Sequence, residues 1–268
     1  MAFRTLGFLL LLLSLSCSSV KTEEPTSSIQ IYFSPSFMPS SSLKIEGDVM
    51  SFEVSSFWTD TVKTVYAQTF KLNPNDIKLI ESGFEKFGQE YEEKERLPGT
   101  DGITVNVISK LLVGNDTLRF WSPRRETQSE YYLILDPIFA TMRAHLIEQA
   151  EINYIEQLEQ YFDFGFPIKQ ISDNPLKYRI YGALSVDDET TKKLDDFISS
   201  VPTDEPLVID MSNFQSMGTL FYPNFQRLLG RNNQIKWLAN EGAYQQLVEI
   251  GIKESDIEKV QIKRLGAK

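Results

Sequence analysis

The chain has 268 residues and carries 27 Lys plus Arg against 37 Asp plus Glu, a formal charge of -10. At 41% nonpolar and 12% aromatic it is too apolar for a disordered polypeptide, and its length suits one or two domains of about 150 residues. A single Cys (Cys17) and a single His (His145) exclude an intrachain disulfide and Cys/His zinc sites, while the acidity argues against a nucleic-acid partner, whose footprint is basic.

Met1 to Ser16 have the order of a secretory signal: Arg4 as the only charge, an apolar block from Leu6 to Leu13 interrupted by Gly7, then small residues. The block is about half of the ~20 residues a membrane-spanning helix needs, and the polar SSVKTEEPTSS behind it cannot extend it. A plain cleaved leader accounts for this much. Cys17, directly behind the block, resembles the lipobox cysteine of bacterial lipoproteins, whose sulfur takes a diacylglycerol. Leu15 and Ser16 fit that pattern. The Leu that the family places three residues before the Cys is Ser14 here, with Leu13 one position earlier, a departure that the looser lipoboxes of Bacteroidota tolerate. The resemblance implies lipidation at Cys17, a membrane anchored through that lipid, and a place in the cell envelope outside the cytoplasm, on the outer membrane or the cell surface. Residues 17–28 then form a polar tether. Its Lys21-Thr22-Glu23-Glu24 is similar to the acidic export signals of such lipoproteins and equally reads as a solvated linker.

Residues 29–165 predict an α+β domain. Ile29 to Phe33, Leu43 to Ile45 and Ser51 to Val54 alternate apolar and polar as half-buried strands do, with a turn at Gly47-Asp48 and a further strand over Val62 to Phe70. Asn73-Pro74-Asn75-Asp76 is a helix start, followed by Ile77, Ile80, Phe84 and Phe87 at helical spacing. Ile103 to Val107 alternates again, and Gly114-Asn115-Asp116 predicts a hairpin turn between strands Leu111 to Val113 and Leu118 to Phe120. One long helix is expected from Tyr131 or Asp136 to Phe162, with Ile138, Met142, Leu146, Ile152, Ile155, Leu158 and Phe162 as its buried stripe. His145 on that helix reads as a surface or partly packed side chain. Glu148, Glu151, Glu156 and Glu159 read as solvated charges. Without His or Cys partners only a hard cation such as Ca²⁺ would suit such carboxylates, and no Asp-rich loop supplies one. No metal or cofactor is implied.

Residues 166–268 predict an α/β domain of order ββαβαβαβ. A hairpin over Ile168 to Ile171 and Tyr178 to Leu184 flanks Ser172-Asp173-Asn174-Pro175. Asp187 or Asp188 caps a helix with Leu194, Phe197, Ile198 and Val201 on one face, stopped by Pro202. Leu207 to Ile209 is a continuously apolar strand of the kind covered by helices. Tyr222 to Gly230 is a helix, Ile235 to Leu238 a strand, and a helix with Tyr244, Leu247 and Val248 closes at Gly251 before a last edge strand over Ile257 to Ile262.

With these residues, that order resembles the STAS domain, the module of anti-sigma-factor antagonists. Gly182-Ala183-Leu184 stands where the family's hairpin ends in a Gly-x-Leu strand. Leu207 to Phe214 matches the hydrophobic-Asp-Leu-Ser-Gly-Val stretch that forms the first half of its second segment. Gly218, Thr219, Leu220 and Phe221 then fall where the family has Asp-Ser-Ser-Gly, around a phosphorylated hydroxyl. Thr219 is the only hydroxyl there, the acid is replaced by Gly218 and the Gly by Phe221, so Thr219 is expected to cap a helix rather than to carry phosphate. The resemblance implies a partner-binding surface at Thr219, Phe221, Tyr222 and Pro223. The leading expectation is a non-catalytic envelope lipoprotein that acts as a protein-interaction module. The alternative is a small-ligand binder or enzyme using an acidic groove between the domains. Phe164 and Phe166, beside Gly165 in the short aromatic linker, are expected to be mostly buried.

Overall fold

The computed structural model describes residues 28–56, 63–91, 102–162, 164–184, 186–203 and 205–265, and the chain is a mixed α/β protein with two principal sheets and six α-helices among them. Cys17, the leader, the tether to residue 27 and Val62, the start of the strand expected up to Phe70, lie outside the described residues.

In the first half, β1 (Ser28–Pro35), β2 (Ser41–Glu46), β3 (Val49–Ser55), β4 (Thr64–Lys71), β5 (Ile103–Ser109) and β6 (Thr117–Trp121) form an antiparallel sheet of order β4-β3-β2-β1-β5-β6. Strict alternation turns Ile29, Ile31, Phe33, Leu43, Ile45, Met50, Phe52, Val54, Val105 and Val107 to one face, where all are buried. Three helices cover that face: α1 (Pro74–Glu90), α2 (Tyr132–His145) and α3 (Gln149–Glu159). The sheet's other face is solvated, the division expected when helices lie on one side of an antiparallel sheet.

Helix α1 begins as its sequence requires. Asn73 Oδ1 accepts from the amides of Asn75 and Asp76, and Asp76 Oδ2 accepts from Asn73 N–H at 3.1 Å, a reciprocal cap. Asp76 also binds His145 Nε2 at 3.0 Å, while the His145 ring stacks on Phe70 with centroids 5.2 Å apart. Burial opposes the Asp76 charge, but His145 and the Asn73 contacts outweigh it and hold the carboxyl below its ordinary range.

The expected long helix is two helices. Leu146 turns to ψ 93, and Glu148, in extended backbone, starts α3: its amide donates to Glu151 Oε2 at 2.7 Å and its carboxylate accepts from the third helical residue. A local cap thus offers the chain a second start that outcompetes helix continuation. The apolar stripe survives the break, with Ile152 half-buried and the other predicted positions buried. Leu111 to Val113 is likewise no strand. The Ser109 hydroxyl accepts from the Leu111 amide at 3.1 Å and turns the chain, leaving Val113 exposed.

The second half carries β7 (Ile168–Asp173), β8 (Leu176–Ile180), β9 (Gly182–Leu184), α4 (Asp188–Ser200), β10 (Leu207–Met211), β11 (Phe214–Met217), α5 (Tyr222–Arg231), β12 (Ile235–Ala239), α6 (Glu241–Ile250) and β13 (Ile257–Lys259). Its main sheet has the order β13-β12-β10-β8-β7, parallel except for β7, and β9 pairs with β11 in a separate parallel ribbon. The expected strand Tyr178 to Leu184 is therefore split. Gly182, at φ 68, swings β9 out of the sheet, and the Gln160 side chain occupies the space a Cβ would need. The last strand is shorter than expected, because beyond Lys259 the tail returns to the first half, where Leu265 packs on the core.

The apolar core is two clusters, one for each half. Gly165, at φ 96, stands between them. Phe164 packs against Phe139, centroids 4.5 Å apart, and Phe166 packs on the second cluster. Both rings are half-buried rather than mostly buried, since each covers the margin of its own core. No helix among the described residues is long and apolar enough to cross a membrane.

Two glycines test the packing in opposite directions. A Cβ on Gly83 would overlap the Leu133 carbonyl oxygen and lie 2.9 Å from Pro137 Cγ, whereas one on Gly230 meets nothing within 4 Å. Gly230→Ala should therefore raise stability by about 0.5–1 kcal/mol. Gly83→Ala should lower it despite the same propensity gain, because backbone cannot yield and overpacking costs about 1–3 kcal/mol. Urea melts of the two variants check the sign of each.

Candidate functional site

Helix α3 lies between the two halves and carries buried carboxylates where solvated ones were expected: Glu151, Glu156 and Glu159 are 1%, 7% and 3% exposed. Each has a partner from a different element. Glu151 meets the Tyr66 hydroxyl of β4. Glu159 is held by Arg143 of α2 and, at 3.2 Å, by Lys169 of β7. Glu156 takes the fork of Arg179 on β8, at 2.6 Å from Nε and 2.9 Å from Nη2. Helical spacing does not show this, because the cations that neutralise Glu156 and Glu159 stand on other elements, α2, β7 and β8.

Arg179 is itself 5% exposed. Its Nη2 donates to Asn153 Oδ1 at 2.6 Å, and its Nη1 lies 3.3 Å from Asp210 Oδ2, which Lys177 Nζ also approaches at 3.0 Å. Asn213 donates to Glu156 Oε2 at 2.8 Å and to the Asn153 carbonyl at 3.0 Å. Burial pushes the Asp210 carboxyl up, but the Ser212 hydroxyl and amide, with Arg179 and Lys177, outweigh it and hold the group below its ordinary range. At Lys169, burial works against the charge, and Glu159 and Tyr181 outweigh it and raise its pKa.

Open clefts of about 1140 Å³ and 1260 Å³ are lined by residues of both halves. Neither is the acidic groove expected. The first sets Arg124, Arg125 and Lys193 among Glu126, Asp187 and Glu189, and its Glu159 is already neutralised. The second sets Glu241 among Lys259, Lys263 and Arg264. Among the described residues no group of His, Cys, Asp and Glu is gathered to hold a metal ion.

Of the predicted interaction residues, Thr219 and Phe221 lie in the turn between β11 and α5, and Tyr222 and Pro223 open α5. Thr219 and Pro223 are exposed and Tyr222 is half-buried, its hydroxyl donating to Glu249 Oε2 at 2.8 Å. Two expectations need correction. Phe221 is 1% exposed and belongs to the second core, so it is not a surface residue. Thr219 caps nothing: the cap position of its turn is Gly218, and no side chain bonds there. The apolar groups that do face solvent are Leu220, 70% exposed, and Val186, 59% exposed, in the segment after β9. Their loops touch, since a Cβ on Gly218 would lie 2.7 Å from Val186 Cγ2. The sequence signal for this pair was that both follow the ends of short strands; the three-residue length of β9 hid it inside a longer apolar run.

Compared with known proteins, the chain matches no family model and no curated protein.

Arg179→Met strands Glu156 among buried groups and should cost about 3–5 kcal/mol. Adding Glu156→Leu should recover much of the loss, because Asp210 keeps Lys177; a double-mutant cycle by urea denaturation measures it. The Asp210 contribution is fully present above the unfolded Asp value of about 3.9 and disappears as pH falls through the lower folded value. The stability gap between wild type and Asp210→Asn should therefore narrow as pH falls below the unfolded value and on through the lower folded one.

Proposed function

We propose that the mature chain is a non-catalytic, lipid-anchored protein-interaction module of the bacterial cell envelope. In this reading Cys17 carries the lipid and the second half is a STAS-like domain. The observation that carries the interaction role is the pair Leu220 and Val186: two large apolar side chains on touching loops, both mostly in solvent, with exposed Thr219 and Pro223 beside them. Large apolar side chains left in solvent on adjoining loops are a natural place for a partner to dock. The STAS reading is supported by the sequential order of the parallel strands β8, β10, β12 and β13 and by helices between them. The partner is a protein that presents an apolar patch of its own. Phosphate switching has no part in this function, because an exported domain is away from ATP and the acid and Gly flanking the family's phosphosite are Gly218 and Phe221 here.

Leu220→Asp should fold normally, as its side chain is exposed, and should lose the partner, since interface anchors often carry about 2 kcal/mol or more. Thr219→Ala should bind as wild type does. Phe221→Asp should fail to fold, because it buries an unpaired charge. A photo-crosslinking residue at position 220 in intact cells should give one discrete adduct that the same residue at exposed Val113 does not; no adduct at 220 would sink the interaction role. Metabolic labelling with a fatty acid tests the anchor: the wild type should take up label and Cys17→Ser should not, and an unlabelled wild type refutes lipidation. Stable retention needs more than one acyl chain, so Cys17→Ser should also leave the membrane fraction.

A further inference from the structure

At the opening of β1, Ser28 faces Glu46, Ile29 faces Ser109, and Val49, behind the Gly47-Asp48 turn, faces Lys71. The chain from Cys17 therefore joins the first half at the end of the sheet that holds the β2–β3 turn, the β5–β6 turn and the close of β4. Helix α1 crosses this end. It starts at Pro74, its Asp76 holds His145 at the close of α2, and its Gly88 lies so near the β5–β6 turn that a Cβ there would stand 2.6 Å from Val113 Cγ2. The turns at the two ends of this crossing carry aliphatic side chains in solvent, where turns ordinarily place Gly, Asn, Asp or Ser. Val113 is 75% exposed, and Ile147, between α2 and α3, is 69% exposed. Leu79 on α1 and Val49 are exposed at the same end. Glu46 and Asp48 are matched by Lys44 at 2.8 Å and Lys71 at 3.1 Å, while Asp116 and Glu148 face solvent.

We propose that this end of the first half is a lipid-contact surface that lies on zwitterionic headgroups, with Val113 and Ile147 set into the interface; the assignment rests on the anchor at Cys17 proposed above. The length of chain ahead of β1 argues for a membrane as the occupant. Cys17 and Ser28 are 11 residues apart, about 40 Å at full stretch, and a compact chain of this size is about 45 Å across. A lipid on Cys17 thus keeps the Ser28 end nearest the bilayer, and presenting the opposite end would consume the whole tether. That opposite end is also engaged, because Phe37 to Pro39 line the cleft shared with the second half. The exposed Asp116 and Glu148 and the chain's charge of -10 favour a headgroup without net charge over an anionic one. Each aliphatic side chain adds little binding of its own, and the anchor supplies the local concentration at which a weak contact is occupied. This surface is distinct from the loops at Val186 and Leu220.

The test holds the mature chain on vesicles of phosphatidylethanolamine and phosphatidylcholine by a maleimide phospholipid on its single thiol, Cys17. The coupling reads the surface whether or not cells lipidate Cys17, which fatty-acid labelling decides separately. A photo-crosslinking residue at position 113 or 147 should give lipid adducts, detected by mass, several-fold more often than the same residue at exposed Phe37. Val113→Asp with Ile147→Asp should leave the thermal melt unchanged, as both side chains are exposed, and should cut lipid adducts from a crosslinking residue at position 79 several-fold. Equal lipid adducts from positions 37 and 113 overturn the proposal, as do adducts from position 79 that the two aspartates leave unchanged. A discrete protein adduct from position 113 in intact cells also overturns it, and assigns the patch to a protein partner.

Discussion

The Arg179 guanidinium, shut away from solvent between a helix of one half and a sheet of the other, is the constraint on which the arrangement of the chain depends. Its fork meets the Glu156 carboxylate with two short bonds, and a third goes to Asn153 on the same helix. Replacing such a buried ion pair with apolar side chains of like volume is often neutral or favourable. The pair is therefore better understood by its geometry than by its net energy. A planar fork accepts a carboxylate in a narrow range of orientations, and the placement of α3 on the second sheet satisfies it together with Asn213, Asp210 and Lys177.

The same helix explains why the halves do not slide apart. Gly165 supplies a covalent link so short that Phe164 and Phe166 are drawn into separate cores on either side of it. The tail beyond β13 supplies a second tie, with Asn153 Nδ2 donating to the Lys263 carbonyl at 2.7 Å and Leu265 seated on the first core. Between these ties, α3 cannot turn without exposing some of its carboxylates to an apolar surface, because Glu151, Glu156 and Glu159 are each matched to a different neighbour. A helix enclosed on several sides must have its polar groups paired, and the pairing fixes its rotation.

Much of the fold was legible in the residues because its signals are local. Alternation in β1, β2, β3 and β5, the Asn73 cap, the Asp187 cap and the left-handed Gly251 at the end of α6 act within a few positions, and the structure uses each of them. The misreadings have a common physical origin. The 3.6-residue pattern runs through both α2 and α3, so periodicity could not reveal the cap at Glu148 that separates them. Glu156 and Glu159 carry charge in every local window, and only Arg179, Lys169 and Arg143 make their burial affordable. Phe221 sits in a turn, where exposure is the usual expectation, yet it is drawn under the helix it precedes while its neighbour Leu220 points out. Burial of a turn residue is decided by the sheet it packs on, which the turn's own sequence does not contain.

Asp210 and Ser212 show how far a motif can be carried. They stand at the best-matching part of the STAS-like segment, and in this molecule the Asp210 carboxylate binds the Ser212 amide at 3.0 Å and the cations Arg179 and Lys177. A carboxylate held ionised by two cations and an amide at a packed junction has its lone pairs committed to structure, which leaves it little to offer a ligand. Asp210 and Ser212 therefore serve the contact between the halves, while Gly218 to Phe221 shape the exposed turn. Gly218, with no side chain, lets Val186 approach, and the inward-turned Phe221 ring leaves Leu220 as the side chain that meets solvent. The turn thus presents an apolar side chain to solvent because the core beneath it has claimed the neighbouring ring.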